Sequence, residues 1–316
     1  MTRYGYFLSS EEYDPAELVR QARLAEQAGF QALWISDHFH PWLDEQGQSG
    51  FVWSVIGAIS QATSLPVTTA VTCPIMRMHP ALVAQAAATS AVLTDGRFNL
   101  GVGSGEALNE HIVGQRWPGA EERLDMLEEA VGLIRELFTG RLVNHRGQYF
   151  TAETARLYSV PAESPPIYMS GFGEQSVQLA AQIADGYMTV SPDADMVRLY
   201  RDSGGRGPVQ GGLKVCWGPD ADQARGTMHR LWPNEQIPGE AAQLLPLPRH
   251  YEQLSQLVSK DMIAAPCGPD PEVHLAALRP FDEAGFDEVF VGQVGGAPEA
   301  FFEFFAGQVL PRAGQS

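Results

Sequence analysis

The sequence predicts an α/β fold, specifically a (β/α)8 TIM barrel, on two observations. Eight short apolar runs alternate with helix-compatible stretches along nearly the whole chain. Its 316 residues suit such a barrel, typically about 250 residues before insertions. Strand count alone does not close a sheet, so a doubly wound sheet fits the same alternation.

The first candidate strand is Tyr4 to Leu8. Pro15 to Gly29 follows as a helix, with Leu18, Ala22 and Ala25 on one stripe and a glycine to cap its end. Ala32 to Ile35, Val67 to Cys73 and Phe98 to Val102 are the next strands. A second long helix covers about Ala120 to Thr139, where Leu127, Ala130, Val131, Ile134 and Phe138 recur at spacings of three and four. Ile167 to Ser170, Gly186 to Val190, Gly212 to Trp217 and Glu288 to Gly292 complete the set. Two insertions interrupt it: Arg141 to Phe150 reads as a small hairpin, and Leu231 to Arg249 carries four prolines. Neither resembles a linker, so residues 1–316 are expected to form a single TIM-barrel domain. The C-terminal Phe301, Phe302, Phe304 and Phe305 are expected to cover the barrel bottom.

Composition removes several function classes. Hydrophobic residues at 44% and charged residues at 19% describe a globular chain. A formal net charge of −17 repels phosphate backbones and anionic lipid, which argues against nucleic-acid or membrane-surface partners. No apolar run reaches the roughly 20 residues of a membrane span, and the N-terminus lacks a signal-peptide core. Cys73, Cys216 and Cys267 are odd in number and far apart, unlike a disulfide framework or a CxxC metal site. The expected compartment is the cytoplasm.

In a barrel, ligands meet the loops that follow the strands. After the second strand stands Ser36-Asp37-His38-Phe39-His40-Pro41-Trp42, a dense set of titratable and aromatic groups. The end of the third, Ala70-Val71-Thr72-Cys73-Pro74, reads only as a strand stopped by proline. After the fourth comes Gly101-Val102-Gly103-Ser104-Gly105-Glu106-Ala107-Leu108-Asn109-Glu110. Alternate glycines there let backbone amides approach a ligand, beside a carboxylate and an amide. After the fifth, Ser170-Gly171-Phe172-Gly173 opens a helix and offers free N–H groups to a cofactor phosphate, or is simply a tight turn that needs glycine.

Two chemistries fit these ends. His38-x-His40 is how a zinc hydrolase begins its metal site, but such a site draws further histidines from later strand ends. His79, His111, His145, His229, His250 and His274 do not directly follow the fifth, sixth or eighth strand, so the expectation is no metal. Hydride transfer to a flavin-like ring needs a flat slot, a phosphate anchor and one base, which the apolar loop residues, the turn at Gly171 and the His38/Trp42 pair supply.

At these residues the sequence resembles the luciferase-like family of flavin and deazaflavin oxidoreductases, and within it the branch containing F420-dependent glucose-6-phosphate dehydrogenases. The resemblance runs over nearly the entire chain, with Ser36 to Trp42, Gly101 to Glu110 and Ala130-Val131-Gly132-Leu133-Ile134 its most specific stretches. It implies a barrel with F420 in the mouth, FMN being the alternative ring, and a homodimer acting on a small molecule. It implies His38 as the base that takes the alcohol proton, Trp42 as a shaper of the substrate pocket, and Glu106 as a proton donor or electrostatic partner. It assigns Asp37, Ser104, Gly105, Asn109, Ser170, Gly171, Phe172 and Gly173 to the cofactor, and places a non-prolyl cis peptide at Ala70-Val71 under the ring. The sugar-phosphate enzymes carry a lysine after strand six and a basic pair late in the chain. Here Val190-Ser191-Pro192-Asp193 and Lys260-Asp261-Met262 stand there, each with a carboxylate in place of a cation. A neutral alcohol, aldehyde or ketone is therefore expected in preference to glucose 6-phosphate.

Overall fold

The computed structural model describes residues 2–314. Its strands are β1 (Arg3–Leu8), β2 (Leu33–Ile35), β3 (Val67–Thr69), β4 (Phe98–Val102) and the hairpin pair β5 (Val143–Arg146) and β6 (Thr151–Ala155). They continue with β7 (Ile167–Ser170), β8 (Gly186–Thr189), β9 (Val209–Val215) and β10 (Glu288–Gln293). Eight of them close a parallel barrel in the order β1-β2-β3-β4-β7-β8-β9-β10, with β10 returning to β1 at Tyr4↔Val289. Closure decides for the TIM barrel over the open sheet.

The helices are α1 (Pro15–Ala28), α2 (Val52–Ile59), α3 (Pro80–Leu93), α4 (Ala107–Glu110), α5 (Ala120–Phe138) and α6 (Glu174–Ile183). After them come α7 (Ala194–Asp202), α8 (Ala221–Leu231), α9 (Ala241–Leu244), α10 (Pro248–Ser255), α11 (Pro271–Ala284) and α12 (Pro298–Phe304). Asp14 starts α1 by accepting the amides of Ala16 and Glu17, and the chain turns out at Gly29 as its sequence demands. The hairpin after α5 runs five residues past Phe150, and the proline-rich excursion is a string of short helical turns ending in α10.

Inside the barrel, Trp34 stacks on Phe290 at 4.5 Å and meets the edge of Phe7 at 5.8 Å. These rings, with Tyr168 and Met188, form a plug whose upper side carries the half-buried Ala70 and Val71. The indole N–H of Trp34 is satisfied by Gln210, which in turn donates to the buried Glu288. The C-terminal phenylalanines do not cover the base. Phe301, Phe302 and Phe305 pack on Tyr6 and Phe30 outside β1, where α12 leans on α1 and closes the outer ring.

Candidate active site

The loop after β2 is pinned from both ends. The side-chain oxygen of Asn109, on α4, accepts the backbone N–H of Phe39 at 2.8 Å and of His40 at 3.0 Å. Asp37, one residue before His38, is held by Thr72 Oγ1 and Arg77 Nη2, each at 2.8 Å. His38 stands between these fixed points with 11% of its side chain exposed. Its Nδ1 lies 3.1 Å from the carbonyl of His40. A carbonyl only accepts, so this contact puts the proton of the neutral ring on Nδ1 and leaves the lone pair on Nε2. That Nε2 faces two carboxylates, Glu11 Oε1 at 3.4 Å and Glu106 Oε1 at 3.6 Å. A proton arriving at Nε2 therefore lands between two anions.

Glu11 follows β1 and is buried, with Ser9 and Ser36 hydroxyls donating to its second oxygen at 2.9 and 2.7 Å. Burial pushes its carboxyl up, but the His38 imidazole, the Lys214 ammonium and the Ser36 hydroxyl outweigh that and hold it below the usual carboxylate range. Its neighbour Glu12 goes the other way, raised by burial although Trp232 and the Gly295 amide donate to it. Trp42 lies with its ring 5.1 Å from that of His38, and Tyr251 of α10 braces its far side edge-on at 5.2 Å. The proline-rich insertion thus reaches the mouth of the barrel.

Glu110 is buried in the same wall. Burial raises its carboxyl to about 7 against the pull of the Arg77 guanidinium and amide, with Glu106 and Asp37 adding to the rise. A folded-state value above the unfolded one means that the folded protein binds the extra proton. The resulting stabilisation is complete below about pH 4.5 and is lost as pH rises through about 7, on the order of 3 kcal/mol at full effect. Urea denaturation of the wild type and of Glu110→Gln at pH 5 and pH 8 is expected to show the wild type losing stability relative to the variant at the higher pH. An identical difference at both pH values would contradict the assignment.

The Ala70–Val71 peptide bond is cis. The chain resumes pairing just beyond it, where Thr72 bridges to Val102. Gly103 fits here because a Cβ would sit 2.6 Å from Val71 Cγ2, and Ser170 at the end of β7 borders the same spot. Gly171 and Gly173 then lead into α6, whose cap carries no side-chain acceptor, and Phe172 is exposed. The residues present suit a tricyclic ring with a phosphate tail. Ala70 and Val71 offer an apolar seat on the aromatic plug, and the turn after β7 leads into the N-terminus of α6. The glycine amides expected to be free are taken up, Gly171 by the Met188 carbonyl and Gly173 by the Ser176 hydroxyl.

His38, Trp42, Glu106, Asn109 and Asp37 are thus assembled into one network, with Ala70, Val71, Gly103 and Ser170 on the adjoining floor. Ser104 and Gly105 lie on the loop between these groups, and the Gly171–Gly173 turn follows the neighbouring barrel strand. His40 leaves the cluster: its Nδ1 turns to the carbonyl of Leu108 at 2.9 Å and its ring stacks on His111. Among the described residues no group of three or more His, Cys, Asp or Glu is arranged to hold a metal ion. Sequence reasoning missed Glu11, Arg77 and Lys214. Glu11 had a signal, since it lies three residues past the first strand; Arg77 and Lys214 are placed by contacts that no local pattern encodes.

A closed parallel barrel with a titratable cluster at its C-terminal rim is the layout of a (β/α)8 enzyme. The chain belongs to the luciferase-like monooxygenase family, whose sequence profile matches residues 2–288. It is 37% identical to an F420-dependent hydroxymycolic acid dehydrogenase of Mycobacterium tuberculosis, over 89% of this chain and 80% of that protein. It is 32% identical to an F420-dependent glucose-6-phosphate dehydrogenase of Microbacterium testaceum, over 98% of this chain and 97% of that one. Among solved structures, an F420-dependent secondary alcohol dehydrogenase in complex with an F420-acetone adduct superposes with a TM-score of 0.90 at 32% identity, covering 98% of both chains.

Proposed function

We propose that this protein is an F420-dependent oxidoreductase that interconverts a neutral alcohol, of the secondary class, and its carbonyl. The observation that carries the reading is His38 Nε2 between Glu11 and Glu106 at the rim of the barrel. F420, when bound, accepts or returns a hydride. His38 Nε2 takes the hydroxyl proton of the alcohol, and Glu11 and Glu106 stabilise the imidazolium that results. Trp42 and its brace Tyr251 shape the substrate side. Asp37, Ala70, Val71, Ser104, Gly105, Asn109, Ser170, Gly171, Phe172 and Gly173 hold the cofactor.

Charge around the mouth supports a neutral substrate. Lys260 is committed to Asp222 at 2.6 Å and Lys214 to Glu235 at 2.8 Å. Asp193 spends its carboxylate capping α7 through the amides of Asp195 and Met196. A phosphorylated sugar would meet paired cations and an added carboxylate. Titration of the purified protein with F420 and with FMN, followed by a secondary alcohol and by glucose 6-phosphate, tests the reading. Saturable F420 binding and reduction by the alcohol are expected. Tight FMN binding without F420 binding would overturn it.

The working unit is a homodimer, supported by the outer face of α3. This 14-residue helix carries no charge, and Leu82, Val92 and Leu93 lie exposed along it. Light scattering is expected to give twice the chain mass, and Leu82→Glu with Val92→Glu to give the monomer. The cytoplasm suits the reduced thiols of Cys73, Cys216 and Cys267. The whole chain acts as one barrel domain, with the hairpin and the helical excursion as insertions.

A further inference from the structure

We propose that Arg77 is a positioning residue of this site: by bridging Asp37 and Glu110 it fixes where His38 stands. The inference rests on the oxidoreductase reading above. Arg77 lies beyond β3, on neither of the loops that carry His38 and Glu106. Its Nη2 donates to Asp37 Oδ1 at 2.8 Å, its Nε lies 3.5 Å from Glu110 Oε1, and its backbone N–H donates to Glu110 Oε2 at 2.7 Å. Its side chain is 8% exposed, against 0% for Asp37 and 1% for Glu110.

The sequence positions of those two carboxylates give the bridge its meaning. Asp37 immediately precedes His38, and Glu110 immediately follows Asn109, which holds the amides of Phe39 and His40. The imidazole is therefore suspended between two tethers, and Arg77 joins their far ends. Without the bridge, the β2 loop and α4 are still joined through Asn109 and through the His40 contact with the Leu108 carbonyl, but Asp37 loses its link to Glu110. A drift of the loop by a fraction of an ångström would unbalance Nε2 between Glu11 and Glu106, which a proton transfer feels more than binding does.

The planar guanidinium hydrogen-bonds Asp37 through Nη2 while its Nε stands within ion-pair range of Glu110, which the backbone N–H holds. An ammonium is a single point charge that does not span both. Arg77→Lys therefore separates the role in positioning from the role in neutralising charge. The measurements are the melting temperature, F420 affinity by titration, and kcat and KM for a secondary alcohol. Arg77→Met is expected to melt earlier and to lose turnover. Arg77→Lys is expected to keep its fold, F420 affinity within about threefold and KM within about threefold, while kcat falls roughly 10- to 30-fold. Thr72→Val, which loosens Asp37 from its other side, should show a smaller kcat loss of the same kind. A well-folded Arg77→Lys with wild-type kcat overturns the assignment, and so does an F420 affinity that falls in proportion to kcat. A wild-type protein that leaves F420 unreduced by every alcohol overturns the oxidoreductase reading and the role of Arg77 in it; wild-type turnover beside an unaffected variant overturns Arg77 alone.

Discussion

Replacement of His38 by alanine is expected to lower kcat for a secondary alcohol by between about 10² and 10⁴, the range that a general base contributes, while F420 affinity stays within about threefold. The imidazole meets the mouth through Nε2, and the loop that carries it is held by Asn109, Asp37 and the Ser49 hydroxyl on its own carbonyl, none of which uses the ring. Removing the ring therefore leaves the backbone standing. Added imidazole should restore part of the lost turnover by supplying the missing base through solvent. Loss of F420 binding in parallel with kcat would show that the ring supports the cofactor seat, and the base would have to be sought elsewhere.

Gly105→Ala is expected to cost about 2–4 kcal/mol of stability and to weaken F420 binding at least tenfold. Gly105 has φ +73°, where an alanine costs about 1 kcal/mol. The added Cβ would also stand 2.5 Å from Cys73 Sγ and 3.2 Å from Glu110 Cγ, an overpacking of about 1–3 kcal/mol. Cys73 is buried and does not yield freely. The double variant Gly105→Ala with Cys73→Ala removes the sulfur but not the backbone cost, so denaturation should show a partial recovery. Full recovery would mean that the left-handed conformation is not needed, and none would mean that the sulfur is not the obstacle.

Much of the barrel was legible because its strands are short and apolar between helices of clear period. Phe98–Val102 and Ile167–Ser170 have the expected bounds. Val67 to Cys73 does not: the ladder stops at Thr69, where the cis bond turns the chain, and a row of strand-forming residues carries no mark of that turn. β9 begins three residues before Gly212, hidden by a glutamine and a glycine. Gly212 itself serves the interior, since a Cβ there would stand 2.4 Å from Trp34 Cζ3. Of the site, the parts carried by one contiguous loop could be read: Asp37, His38 and Trp42, then Glu106 and Asn109. The partners that set their geometry come from other strands. Glu11 reaches His38 across a gap of 27 positions in the chain, and Arg77 serves two loops from a third. Such pairings are fixed only when the barrel closes.

That closure imposes an order of assembly on the newly made polypeptide. The segment bearing Glu11 is anchored not by its neighbours alone but by the Tyr13 hydroxyl on the Gly295 carbonyl at 2.6 Å, a contact spanning 282 positions, and by β1 pairing with β10. The groups of the acid–imidazole cluster all lie within the first 110 residues, yet the segment that carries Glu11 gains these anchors only when the last strand emerges and docks. Long-range pairing of this kind is slow to form and leaves apolar edges open meanwhile. Premature termination or proteolytic clipping before residue 288 would thus yield a species that contains the side chains of the cluster without the pairing that holds Glu11 in place.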